Sequence, residues 1–192
     1  MKQKLFLLIT ICFFTFALTA QIKPQINSLK SQLDEVVKDF PNFFKTIKGK
    51  PVTDNAENME YVSSVIIKNS LETKVIAYSN QNYTSWVWEC KLYETENTDQ
   101  VKRQYKLYYN DIASKPLLGK TAALQLVAVS AYSSPSKELR LWSNQFIIKD
   151  ATDLYKNLVV DLVAEYINFQ WTVYLRAYDK EKDEEMRPTT KQ

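Results

Sequence analysis

Histidine is missing from this chain of 192 residues, and glycine and cysteine occur only twice each. Each shortage closes a class of chemistry. Without imidazole there is no Ser-His-Asp or Cys-His catalysis, no histidine metal ligand and no histidine pH switch. With only Gly49 and Gly119 available, no loop can bring several backbone amides up to a phosphate, so nucleotide binding of that kind is excluded. Cys12 lies inside an apolar N-terminal run. Cys90 is then the only thiol beyond that run, and an internal disulfide is ruled out. The sequence gives no reason to expect a cofactor or a bound metal.

Long hydrophobic runs are equally scarce. The single one stretches from Leu5 to Leu18, behind Lys2 and Lys4 and ahead of small residues ending at Ala20. Basic, then apolar, then small is the layout of a secretory signal peptide. The run falls short of the roughly 18 residues of a membrane span. Thr10 and Ile11 precede Cys12, so the small residue expected before a lipidated cysteine is absent. The expectation is an exported protein, periplasmic or secreted, with residues 1–20 removed and no stable membrane span afterwards. Losing Lys2 and Lys4 takes the 25 basic residues to 23, against 22 acidic ones. A chain so near neutrality has no electrostatic claim on nucleic acid.

What remains reads as alternating helix and strand. Ile26, Leu29, Leu33, Val36 or Val37, and Phe40 recur at spacings of three and four, which predicts a helix. Asn27 or Ser28 would cap it and Pro41 would end it. Phe43, Phe44 and Ile47 continue the stripe to KGKP, where Gly49 and Pro51 read as a stop, and TDNAENME reads as a polar loop. Strands follow at YVSSVIIK, KVIAYS and YTSWVWECKLY. Val101, Tyr105, Tyr108 and Ile112 return to helical spacing, with Asn97, Thr98 or Asp99 as cap and Pro116 beyond the end. AALQLVAVSAY fits a strand or a short buried helix, and ELRLWSNQFIIKD a strand. LYKNLVVDLVAEYI is read as a strand that forms a hairpin with WTVYLRAY. The tail DKEKDEEMRPTTKQ has no apolar period and reads as a disordered charged segment from 179 to 192.

The fold class is therefore α+β: a mainly antiparallel sheet with an N-terminal and a mid-chain helix packed on one face. Residues 21–178 form a single domain, or two sub-units meeting near 115–122. WVWECKLYETE from Trp86 and WTVYLRAYDKE from Trp171 echo each other in tryptophan, tyrosine and acid positions, a hint of internal duplication.

Strand alternation sets Trp86, Trp88, Cys90 and Leu92 on one side, and Trp171, Val173, Leu175 and Ala177 on one side of the other strand. Those sides should face the core, which makes Cys90 an inert buried thiol. The opposite sides carry Tyr83, Lys91 and Tyr93, and Tyr174, Arg176 and Tyr178. Should the two strands be neighbours, these six residues form an exposed patch of the composition that protein interfaces favour, although tyrosine also favours strand surfaces in general. Glu89, Asp161 and Glu165 are the strand carboxylates that a histidine-free glycosidase would need, and Glu94, Glu96 and Asp99 lead into a helix N-terminus, where negative charge is favourable. No spacing among them is diagnostic. The expected function is non-catalytic binding of a protein or cell-envelope component through the sheet face, with a carboxylate-dependent hydrolase of an envelope polymer as the alternative.

Overall fold

A computed structural model describes residues 29–54, 58–79, 83–114 and 124–182. The expected leader, the junction near 115–122 and the tail from 183 onward lie outside these residues.

Helix α1, Leu29–Asp39, passes through a 3-10 turn at Phe40–Asn42 into four strands, β1 (Lys48–Asp54), β2 (Asn58–Ser63), β3 (Glu72–Ser79) and β4 (Thr84–Thr95). Helix α2, Thr98–Ala113, precedes four more: β5 (Leu126–Ala128), β6 (Leu141–Ile148), β7 (Leu158–Ile167) and β8 (Gln170–Asp179). All eight join one sheet in the order β1-β2-β3-β4-β8-β7-β6-β5, every neighbouring pair antiparallel. The fold is α+β. Each half is a helix followed by a four-stranded meander, and the halves meet at β4 and β8 in mirrored order. The sequence echo fits this arrangement. Trp86 and Trp171 are 85 residues apart, and so are Cys90 and Leu175, which stand opposite each other across the β4–β8 junction.

Both helices lie on one face. Leu33, Val36 and Val37 of α1 and Val101, Tyr105 and Ile112 of α2 are fully buried against Trp88, Cys90, Phe146, Leu162, Trp171, Val173 and Leu175 of the sheet. The side chain of Asn97 caps α2 by accepting from the Asp99 and Gln100 amides at 2.9 and 3.0 Å, satisfying donors that have no partner within the helix. Lys30 Nζ donates to the Ile112 carbonyl at 3.1 Å, placing a cation at the negative end of α2. Among the described residues no helix is long and apolar enough to cross a membrane.

The tryptophans settle which side is in. Trp88 and Trp171 are completely buried, while Trp86, nearer the strand end, is half-buried beside Tyr61 with Lys48 over both rings. Cys90 is free and buried.

Three local readings are corrected. KGKPVTD is strand β1, and β2 begins inside the expected polar loop, so the first meander has four strands. Of YVSSVIIK only the first residues pair; Val65 and Ile67 are buried in the loop after β2. Asp179, placed in the tail from sequence, is the last residue of β8 and pairs with Leu158.

Candidate functional site

The face of the sheet opposite the helices is built of cross-strand rows. The central row runs Lys74, Glu89, Arg176, Asp161, Gln145 across β3, β4, β8, β7 and β6. On one side of it stands an apolar row: Ile76, Val87, Tyr178, Val159 and Ile147. On the other stands Glu72, Lys91, Tyr174, Val163 and Ser143. Directly opposed side chains in a sheet are close enough to interact, and here they do.

Arg176 holds the charged row together. Its Nε donates to Glu89 Oε2 at 2.7 Å and its Nη2 to Glu165 Oε1 at 3.2 Å, while its guanidinium sits 4.9 Å from the centre of the Tyr174 ring. Lys74 extends the chain of charges, 3.2 Å from Glu60 and 3.6 Å from Glu89. Burial works against both cations, yet the neighbouring carboxylates, Glu89 foremost, outweigh it and hold both above their ordinary range. Asp161 is the counterexample. Burial raises its carboxyl above the usual aspartate range, despite a hydrogen bond from Ser143 Oγ at 2.5 Å and the nearby Arg176 charge. Burial also raises the Tyr174 phenol, with Glu165 and Glu89 adding to it.

Four of the six residues singled out from sequence come together on this face: Lys91, Tyr174, Arg176 and Tyr178. They are not free-standing. Lys91 pairs with Glu94. Tyr178 is buried against Val87 and Val159, accepts from Gln145 Nε2 at 3.3 Å and donates to Asp161 at 3.5 Å. Tyr83 lies just before β4 and is half-buried. Tyr93 is elsewhere. Between Lys91 and Tyr93 the β4–β8 register slips by one residue, so Tyr93 stands opposite the buried Val173, packs on the core and donates its hydroxyl to Gln100 of α2 at 3.3 Å. An extra residue in one strand turns every later side chain to the other face.

Sequence reading missed the apolar side chains left in water on the same face. Val62, Ile147, Leu141 and Ile167 are 47, 41, 58 and 58 % exposed. Val62 pairs with Lys74, Ile147 with Val159, and Leu141 with Glu165, so they flank the charged row. The signal was present: outward positions of strands, where alternation calls for polar residues, are filled by branched apolar ones. Beside Val62 a shallow cavity of about 370 Å³ opens between Val52, Glu60, Ile66, Leu71 and Lys74.

Cys90 offers no nucleophile. Burial pushes its thiol up to about 12, and the thiolate is the reactive form. Comparison of the chain with protein-family models, with curated proteins and with solved structures returned no match.

Proposed function

We propose that this is an exported, non-catalytic protein that binds another protein or a cell-envelope component through the helix-free face of its sheet. One observation carries the reading. The helices and the main core occupy one side, and the other side is an ordered polar row bordered by exposed apolar residues. Charges already paired within the surface cost less to cover than unpaired ones, and the apolar flanks gain from being covered. Export rests on the N-terminal pattern of Lys2, Lys4 and the apolar run.

The alternative, hydrolysis of an envelope polymer by carboxylates, has Asp161 in its favour, because burial raises its carboxyl as a general acid requires. Its would-be partners stand against it. Glu89 and Glu165 are both bound to Arg176, which neutralises them where a nucleophile or base would have to be free.

The test is capture from an envelope extract by the tagged, processed protein. Changing Lys91 and Tyr174 together to alanine should remove the co-purifying partner, while Leu107→Ala on the exposed side of α2 should not. Identical partners from both variants would refute the sheet-face reading.

A further inference from the structure

The hairpin joining β7 to β8 turns in two residues, Asn168 and Phe169, both in the left-handed region at φ 51° and 65°. Such a turn matches the twist of the flanking strands. Asparagine suits its first position. The second normally holds glycine, because any Cβ there crowds the backbone. This chain has phenylalanine, with 83 % of its surface in water, the most exposed of the large apolar side chains among the described residues.

The same strain elsewhere in the molecule is compensated. Phe43 and Phe44 also have φ of 58° and 57°, but Phe44 is buried with its ring 6.1 Å from Phe40, and Phe43, 40 % exposed, has the Lys45 and Lys182 ammonium groups 5.6 and 4.5 Å from its ring. At Phe169 the backbone is strained and the ring is left largely in water. Residues held in sparsely populated backbone conformations cluster at active sites, ligand clamps and switch regions.

Its surroundings define the contact. Ile167 and Leu141, both on the helix-free face, and Leu139, 52 % exposed, lie at this same end of the sheet. The charged residues around them have both signs. Lys137 and Arg140 are exposed near β6, and Glu96 and Asp99 are exposed at the start of α2, which Trp171 ties to this end by donating to Thr98 at 3.2 Å. A lipid surface selects for basic residues around its apolar anchor. An apolar centre with a rim of mixed charge is the pattern of a protein interface.

We propose that Phe169 is the anchor by which this chain engages a folded protein partner, its ring entering an apolar pocket while Ile167 and Leu141 extend the contact onto the sheet. The inference rests on the sheet-face reading above and adds the anchor and the partner class. A rigid two-residue turn presents the ring with little conformational entropy left to lose, which favours tight insertion, and buried aromatic anchors dominate such interfaces.

The test uses the full chain, expressed in the cells that make it, with the photocrosslinker p-benzoylphenylalanine replacing Phe169, Tyr174 or, as control, Leu107. The expected result is one protein adduct shared by positions 169 and 174, with the 169 adduct mapping to residues of a concave apolar site. Phe169→Gly relieves the left-handed strain. It should leave the melting temperature unchanged or higher while reducing the 174 adduct roughly tenfold or more. An adduct at 174 that persists in Phe169→Gly overturns the anchor and leaves the sheet-face reading standing. Phospholipid adducts at 169 overturn it in favour of a bilayer. No adduct at 169 or 174 above the level at 107 removes both readings.

Discussion

Arg176 and Glu89 join the two halves of the protein: the guanidinium of β8 meets the carboxylate of β4 at 2.7 Å, across the strand pair that makes the two meanders one sheet. The side chains of Arg176 and Glu89 are only 16 and 11 % exposed, so solvent screens the pair weakly. Removing one member of such a pair leaves the other charge buried alone, which costs about 3 kcal/mol or more. Arg176→Met should therefore lower unfolding stability by about 3 kcal/mol, because it takes from Glu165 its ion-pair partner and leaves Glu89 only the longer contact to Lys74 at 3.6 Å. Replacing Arg176 and Glu89 both by methionine should recover much of that loss. Denaturant unfolding of the single and double variants checks this, and equal stability of Arg176→Met and wild type would contradict it.

Asp161 gives a pH dependence of definite sign. Its carboxyl ionises at higher pH in the folded chain than its ordinary 3.8, chiefly through burial. As pH rises the unfolded chain therefore releases this proton first. The stability it contributes is full below the ordinary value and is lost as pH climbs through the folded one. Asp161→Asn removes the penalty and retains an acceptor for Ser143 Oγ. The variant should unfold at higher denaturant concentration than wild type at pH 7, with the gap closing toward pH 3. A gap constant with pH would show that Asp161 does not titrate with folding.

Much of the fold is legible in the sequence because one face of each central strand is apolar at period two. Trp88, Cys90 and Leu92 in β4, and Trp171, Val173, Leu175 and Ala177 in β8, follow the rule and are buried. Strand β7 is harder. Val159, Asp161 and Val163 are buried on one side and Leu158, Val160 and Leu162 on the other, so no period stands out and length has to decide. β1 is invisible because Gly49 and Pro51 read as breakers, yet an edge strand tolerates both. A Cβ at Gly49 would come within 2.8 Å of the Val62 carbonyl, so glycine is required by the closeness of β1 to β2. Tyr93 is misplaced by alternation because a bulge leaves no mark in an aromatic strand: Leu92 and Tyr93 suit either face. The charged row was visible only as separate acids. Its meaning depends on Arg176 standing between Glu89 and Asp161, and that follows from strand order.

Cys90 reports on global unfolding. It is fully buried beneath the helices, and burial raises its thiol to about 12. A thiol reagent at pH 8 should leave it unlabelled in the native protein and label it in proportion to the unfolded fraction as denaturant is added. The labelling midpoint should coincide with that measured by tryptophan fluorescence, since Trp88 is buried in the same core. Rapid labelling without denaturant would mean that the helices leave the sheet in a separate, cheaper opening.

Helix α2 is fixed by a polar contact inside the apolar layer. Tyr105 of α2 is fully buried, donates its hydroxyl to the Leu162 carbonyl of β7 at 2.6 Å and accepts from Asn144 Nδ2 of β6 at 2.8 Å. Asn144 is itself buried and reaches the Ser133 carbonyl at 3.2 Å. Burial raises the Tyr105 phenol, so it stays a neutral donor throughout the working pH range. Tyr105→Phe keeps the ring but strips the bridge, leaving a buried amide with one partner fewer, and should cost about 1–3 kcal/mol. Asn144→Ala alone should cost a similar amount. Because the two groups serve the same bridge, the double variant should cost clearly less than the sum of the singles. Strict additivity would mean that the ring alone holds α2 to the sheet, and that the buried hydroxyl is incidental to how the helix is seated.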